Sequence, residues 1–151
     1  MTKEEKQLLL IDLCARLPYE VKCLVNFDDG TEDIMTLKTG LPNCFGRWDF
    51  RNKDYSGCSN SFKPYLRPMS SMTVEEGERL EQIAKETLGD FMFEAEEDGG
   101  AIYHMDKWKT LSPAMFDYLN SIHIDYRGLI GRGLALPAPE GMYDKCETSN
   151  I

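Results

Sequence analysis

The chain has 151 residues, enough for one domain with a core of its own and short for two. Hydrophobic residues make up 42% and aromatic residues 11%, which excludes wholesale disorder despite the charge. The net charge is −9, yet residues 73–98 alone carry a balance of −8; the acidity belongs to one segment, and such a segment repels nucleic acid and anionic lipid.

The chain opens with a helix over residues 2–17. Thr2 and Glu5 stand at capping-box spacing, Leu9, Leu10, Leu13 and Leu17 form a helical apolar stripe, and Pro18 stops it. A strand follows over Glu20–Phe27, where Val21, Cys23, Val25 and Phe27 alternate with their neighbours. Asp28, Asp29 and Gly30 supply a turn, and Ile34–Leu37 returns, so residues 20–38 read as a hairpin. Residues 43–61 are the least regular stretch, with one short strand expected near Arg47–Phe50. Phe62–Pro68 is expected to be extended, because Lys63 precedes Pro64 and Arg67 precedes Pro68.

A second helix, 73–89, begins at the capping box of Thr73 and Glu76. Leu80, Ile83, Ala84 and Leu88 form its buried stripe, and Gly89 ends it. A second hairpin is expected at 91–105, turning at Asp98 and Gly99. A third helix, 112–123, starts at Ser112 with Pro113 in its first turn, and His123 is expected to cap its C-terminal end. Asp125–Tyr143 is rich in glycine and proline, with a helical turn expected around Arg127–Leu134. Its Leu129, Ile130, Leu134, Leu136, Met142 and Tyr143 are too apolar to leave in water, so the segment should pack on the domain. The expected fold is a single α+β domain over 1–143, with antiparallel hairpins in a small sheet flanked by about three helices. Residues 144–151 are expected to form a frayed tail.

Met1–Lys6 is polar, Leu8–Ile11 is too short for a signal core, and no apolar run is long enough to cross a bilayer, so a cytoplasmic protein is expected. The five cysteines (Cys14, Cys23, Cys44, Cys58 and Cys146) are scattered, which suits free thiols. They lack the close pairs of a zinc site, and no metal or cofactor is expected. Asp28-Asp29-Gly30 does not match a calcium loop. The glycines at 128, 131 and 133 follow a helix and precede prolines, the wrong setting for a phosphate-binding loop. His104 or His123 beside a cysteine or carboxylate would serve a hydrolase or a nucleic-acid-processing enzyme, but a G-x-S-x-G turn is absent and no catalytic residue is assigned.

The binding candidates fall in two places. Between Phe45 and Arg67, five cations interleave with six aromatic residues against two aspartates. Arg47, Trp48, Arg51, Tyr65 and Arg67 are the candidates there. Cations beside rings suit single-stranded nucleic acid or an anionic protein surface. The competing reading, that the rings anchor the core and the charges solvate a loop, is preferred because the chain is acidic overall. The second place is Asp125-Tyr126-Arg127, either a local salt bridge or a small recognition surface.

Two further strings carry a family signal. One is Lys63-Pro64-Tyr65-Leu66-Arg67-Pro68-Met69-Ser70-Ser71-Met72-Thr73. The other begins at Asp117-Tyr118-Leu119-Asn120, continues through Asp125-Tyr126-Arg127-Gly128-Leu129-Ile130 and Gly133-Leu134-Ala135-Leu136, and ends at Ala138-Pro139-Glu140-Gly141-Met142-Tyr143. With Leu13-Cys14-Ala15-Arg16-Leu17-Pro18-Tyr19, they resemble a group of small proteins of unknown function from prophages and mobile elements of gut bacteria. The resemblance implies no chemistry. With the lack of a convergent catalytic set it favours a non-catalytic interaction protein, and the acidity of Thr73–Asp98 suits that segment to docking an unidentified, basic protein partner. Direct nucleic-acid binding and a membrane are not expected, and a structural virion or packaging component is the other alternative.

Overall fold

Thr2 and Glu5 start the first helix as their spacing predicts: the Glu5 amide donates to the Thr2 hydroxyl and the Thr2 amide to the Glu5 carboxylate. The computed structural model describes residues 2–38, 47–88 and 111–143. Within them α1 spans Lys3–Arg16, and a 3₁₀ turn at Leu17–Tyr19 absorbs Pro18. Five strands follow: β1 Lys22–Asn26, β2 Glu32–Leu37, β3 Trp48–Arg51, β4 Ser56–Ser59 and β5 Ser61–Leu66. Then come α2 Val74–Leu88, α3 Pro113–Ser121 and the short β6 Leu136–Pro137.

The strands form one sheet in the order β4-β3-β2-β1-β5-β6. All neighbours are antiparallel except β5 and β6, which run parallel. The result is a single α+β domain with a mixed sheet and three helices among the described residues. The hairpin at 20–38 is β1–β2, with Leu24 opposite Ile34. The hairpin expected at 91–105, the stop at Gly89, His104 and the tail 144–151 lie outside the described residues. No helix among those described is long and apolar enough to cross a membrane.

Two strands differ from expectation. β4 has the sequence Ser-Gly-Cys-Ser, with no strand propensity of its own. It forms because β3 offers it a ladder and because Ser59 donates its hydroxyl to the Asn26 carbonyl. Gly57 lets the Phe27 ring lie close, since a Cβ there would stand 3.0 Å from that ring. β6 runs beside β5, a parallel pairing that local pattern does not reveal. The helical turn expected near Arg127–Leu134 is a single turn in which the Arg132 amide bonds the Gly128 carbonyl, and Gly128 and Gly133, both at positive φ, keep it from extending into a helix.

Two cores result. In the first, Leu9 and Leu13 of α1 lie on the face of the sheet formed by Cys23, Val25, Met35, Leu37, Phe50 and Phe62, and Leu129 and Leu134 complete it. The segment 125–143 therefore packs on the domain. The second core joins Leu80, Ile83 and Ala84 of α2 to Met115 and Leu119 of α3, with Ile124 and Tyr126.

A buried charge network lies between α1 and the strip at 122–127. Asp12 and Arg16, one turn apart on α1, are both fully buried and 2.8 Å apart. Arg16 also donates to the Ile124 carbonyl at 2.6 Å, and Arg127 takes the other Asp12 oxygen at 3.0 Å. Both guanidinium groups stand over the Tyr126 ring, at 5.2 and 4.9 Å from its centre. Removing one member of a buried ion pair leaves its partner's charge uncompensated. Asp12→Ala should therefore cost about 3–5 kcal/mol, read from the urea unfolding midpoint; an unchanged midpoint would show that the network is dispensable.

Candidate functional site

Arg67 follows β5 directly, and its hydrogen bonds reach three elements. Its backbone amide donates to the His123 carbonyl at 2.7 Å, and its own carbonyl accepts from Asp125 at 2.8 Å. Its guanidinium grips Glu76 of α2 through both terminal nitrogens, at 2.8 and 2.7 Å, and also reaches the Ile122 and Ser71 carbonyls. Glu76 in turn completes the α2 capping box with Thr73. Burial alone would raise the Glu76 carboxyl. The bonds from Arg67 and the Thr73 amide outweigh that and hold it below the usual range.

These groups line a cleft of about 780 Å³ between the start of α2, the end of α3 and the turn at 138–143. Its other wall is His123. This residue ends α3 in the left-handed region, φ 64°, where its amide bonds the Asn120 carbonyl. Its ring stacks on Tyr143, 3.6 Å between centres and 12° between planes. The Tyr143 hydroxyl accepts from the Lys22 amide at 2.9 Å and donates to the Tyr65 carbonyl at 2.7 Å. It thus bridges β1 and β5 where their ladder ends, and burial pushes that hydroxyl's pKa up.

Burial pushes His123 down to about 4, and the nearby cations Arg16, Arg67 and Lys22 add to the shift. It is neutral at pH 7. A general base needs a pKa near the working pH and a group to orient it. His123 has neither: its Nδ1 is buried without a hydrogen-bond partner, and the charges acting on it are all positive. Among the described residues no cysteine lines the cleft, and Glu76 is taken up by Arg67. Among the described residues no group of three or more His, Cys, Asp or Glu side chains could hold a metal ion.

The sequence candidates do not converge. Arg67 is in the cleft, where it holds three elements together. Tyr126 and Asp125 are buried: Tyr126 donates to Asn120 at 2.9 Å, and Asp125 accepts the Leu129 and Ile130 amides. Arg127 joins them through Asp12. Trp48 is half-buried against Phe62, 5.4 Å between ring centres. Arg47 pairs with Asp28 at 2.6 Å, Arg51 stands 3.8 Å from Glu20, and Tyr65 is half-buried beside Tyr143. The sequence marks Glu76 as the capping partner of Thr73 but not as the partner of Arg67, and it passes over Asp12 and Arg16, although their spacing on the apolar side of α1 is a usable signal. The stacking of His123 on Tyr143 leaves no local signal at all. Comparison with protein families, with curated proteins and with solved structures finds no match for this chain.

The neutral state of His123 has a consequence for stability. Unfolded, the imidazole takes up a proton near pH 6.5; folded, it resists until about 4. The unfolded chain binds more protons between those values, so stability is complete above pH 6.5 and falls as the pH drops towards 4. The loss is on the order of 3 kcal/mol. His123→Asn keeps a residue that tolerates positive φ and cannot titrate. Equilibrium unfolding from pH 7 to 4 should show the native protein losing that much more than the variant, and parallel pH profiles would contradict the assignment.

Proposed function

We propose that this chain is a non-catalytic interaction protein of a phage or mobile element, acting in the host cytoplasm by docking a basic protein partner on the segment that begins at Thr73. One observation carries the non-catalytic part of the reading. The buried and half-buried carboxylates in the cleft and beside it are engaged by structural partners: Glu76 by Arg67, Asp12 by Arg16 and Arg127, and Asp125 by two backbone amides, while Glu140 lines the cleft from an exposed turn. His123, which has no such bond at Nδ1, is surrounded by cations and stacked on a ring.

The partner's sign follows from charge. Glu75, Glu78 and Glu86 of α2 are exposed, and the sequence beyond continues with Asp90, Glu94, Glu96, Glu97 and Asp98. Carboxylates so arranged can stand in for nucleic-acid phosphates, which would make the protein an inhibitor of a host nucleic-acid-binding protein. The resemblance to small prophage proteins, carried by the strings around Arg67 and Asp125, agrees with such a role.

The test compares the native protein with Glu75→Lys/Glu78→Lys/Glu86→Lys as bait in host lysate at low salt. The native bait should retain a basic protein that elutes as salt is raised, and the variant should lose it. Recovery of no partner, or equal recovery by both baits, would overturn the docking reading.

A further inference from the structure

The sheet has a second face, opposite α1, whose composition is unlike the rest of the molecule. Register places Lys22 of β1 opposite Thr36 of β2, and Thr36 opposite Arg51 of β3. In the next row Ile34 of β2 faces Leu24 of β1, and Leu24 faces Lys63 of β5. Lys53, two residues past Arg51, lines with Ile34 a groove of about 640 Å³ across these strands. Two aliphatic side chains thus lie side by side between cations. Ile34 is 43% exposed, unusual for an isoleucine on a strand. Three acidic residues border the patch. Glu20 is 3.8 Å from Arg51, with both side chains more than half exposed, while Glu32 and Asp49 stand at its margins. Lys22 also touches the Met142 carbonyl at 3.2 Å.

From this arrangement we infer that this sheet face, left open by the described residues, is a docking surface for an acidic amphipathic helix of a partner protein, the apolar stripe over Leu24 and Ile34 and its carboxylates against Arg51, Lys53 and Lys63. The dimensions agree. Strands lie about 4.8 Å apart, so β3 to β5 span about 14 Å, and a helix with its side chains is about 10–12 Å wide. The face fits a helix better than single-stranded nucleic acid, which needs rings to stack on. Strand alternation has turned Phe50 and Phe62 into the core and Trp48 against it, leaving Tyr65, half-buried, as the strand ring on this side among the described residues. The inference rests on the reading of the chain as an interaction protein but uses a surface of opposite charge to α2.

The probe is a fluorescein-labelled synthetic helix about 18 residues long, with a leucine stripe flanked by glutamates, followed by anisotropy. The native protein should bind it, less tightly as salt is raised. Arg51→Glu/Lys53→Glu should weaken binding at least about tenfold, and Ile34→Ser, at an exposed position, should weaken it independently. The proposal fails if the native protein does not bind the probe at low salt, or if a version with lysines in place of glutamates binds equally well. It also fails if labelled oligothymidylate binds more tightly, or if the native chain self-associates and the double variant does not, which would assign the face to a second copy. Lysate capture that survives Arg51→Glu/Lys53→Glu while the probe does not bind would sink this surface and leave the interaction role standing.

Discussion

The burial of the Arg16 guanidinium constrains more of this structure than any other contact. Taking a charge out of water costs several kcal/mol unless its partners are in place. Asp12 supplies the opposite charge from the same helix, but the Ile124 carbonyl and the Tyr126 ring come from the far end of the chain. α1 therefore cannot seat its polar side before residues 122–127 are in position. The same strip also holds Ile124 and Tyr126 in the second core. One ion pair thereby ties the sheet-side core to the helical core.

Arg67 plays the corresponding part at the other side of the strip. It leaves β5 and hydrogen-bonds the backbone on both sides of Ile124, while its side chain clamps the start of α2. With α2 and α3 so placed, His123 is pressed onto Tyr143, whose hydroxyl closes the end of the β1–β5 ladder. The cleft beside them is thus lined largely by groups that hold the fold. Its Arg67, Glu76, His123 and Tyr143 each join two or more elements of the fold.

The stretch from Phe45 to Arg67 illustrates how a strand sorts a mixed sequence. Read linearly, it interleaves cations with rings and suggests that they act together. Folded, the two-residue alternation sends Phe50 and Phe62 to one face and Arg51 and Lys63 to the other. The rings that would have stacked on a base instead meet one another, 5.0 Å between the centres of Phe50 and Phe62.

Local chemistry in the sequence determined much of the framework. Capping boxes at Thr2 and Thr73, proline after Ser112, alternation in Lys22–Asn26 and the turn residues at Asp28–Gly30 each act within a few residues, so the three helices and the first hairpin could be read directly. The apolar content of residues 125–143 likewise foretold that they pack. Tertiary structure alone decided the remainder. β4 and β6 exist because a neighbouring edge offers hydrogen bonds, not because Ser-Gly-Cys-Ser or Leu-Pro prefers a strand. Asp125, Tyr126 and Arg127 read equally well as a surface or a salt bridge; Asp125 is held by the local Leu129 and Ile130 amides, while Tyr126 and Arg127 meet Arg16 and Asp12, more than 100 positions away. His123 and Tyr143 meet by the closing of a chain end onto the sheet. Polar residues carry no periodic signal for a distant partner, because the energy of such a contact depends on burial and geometry that only the assembled fold supplies.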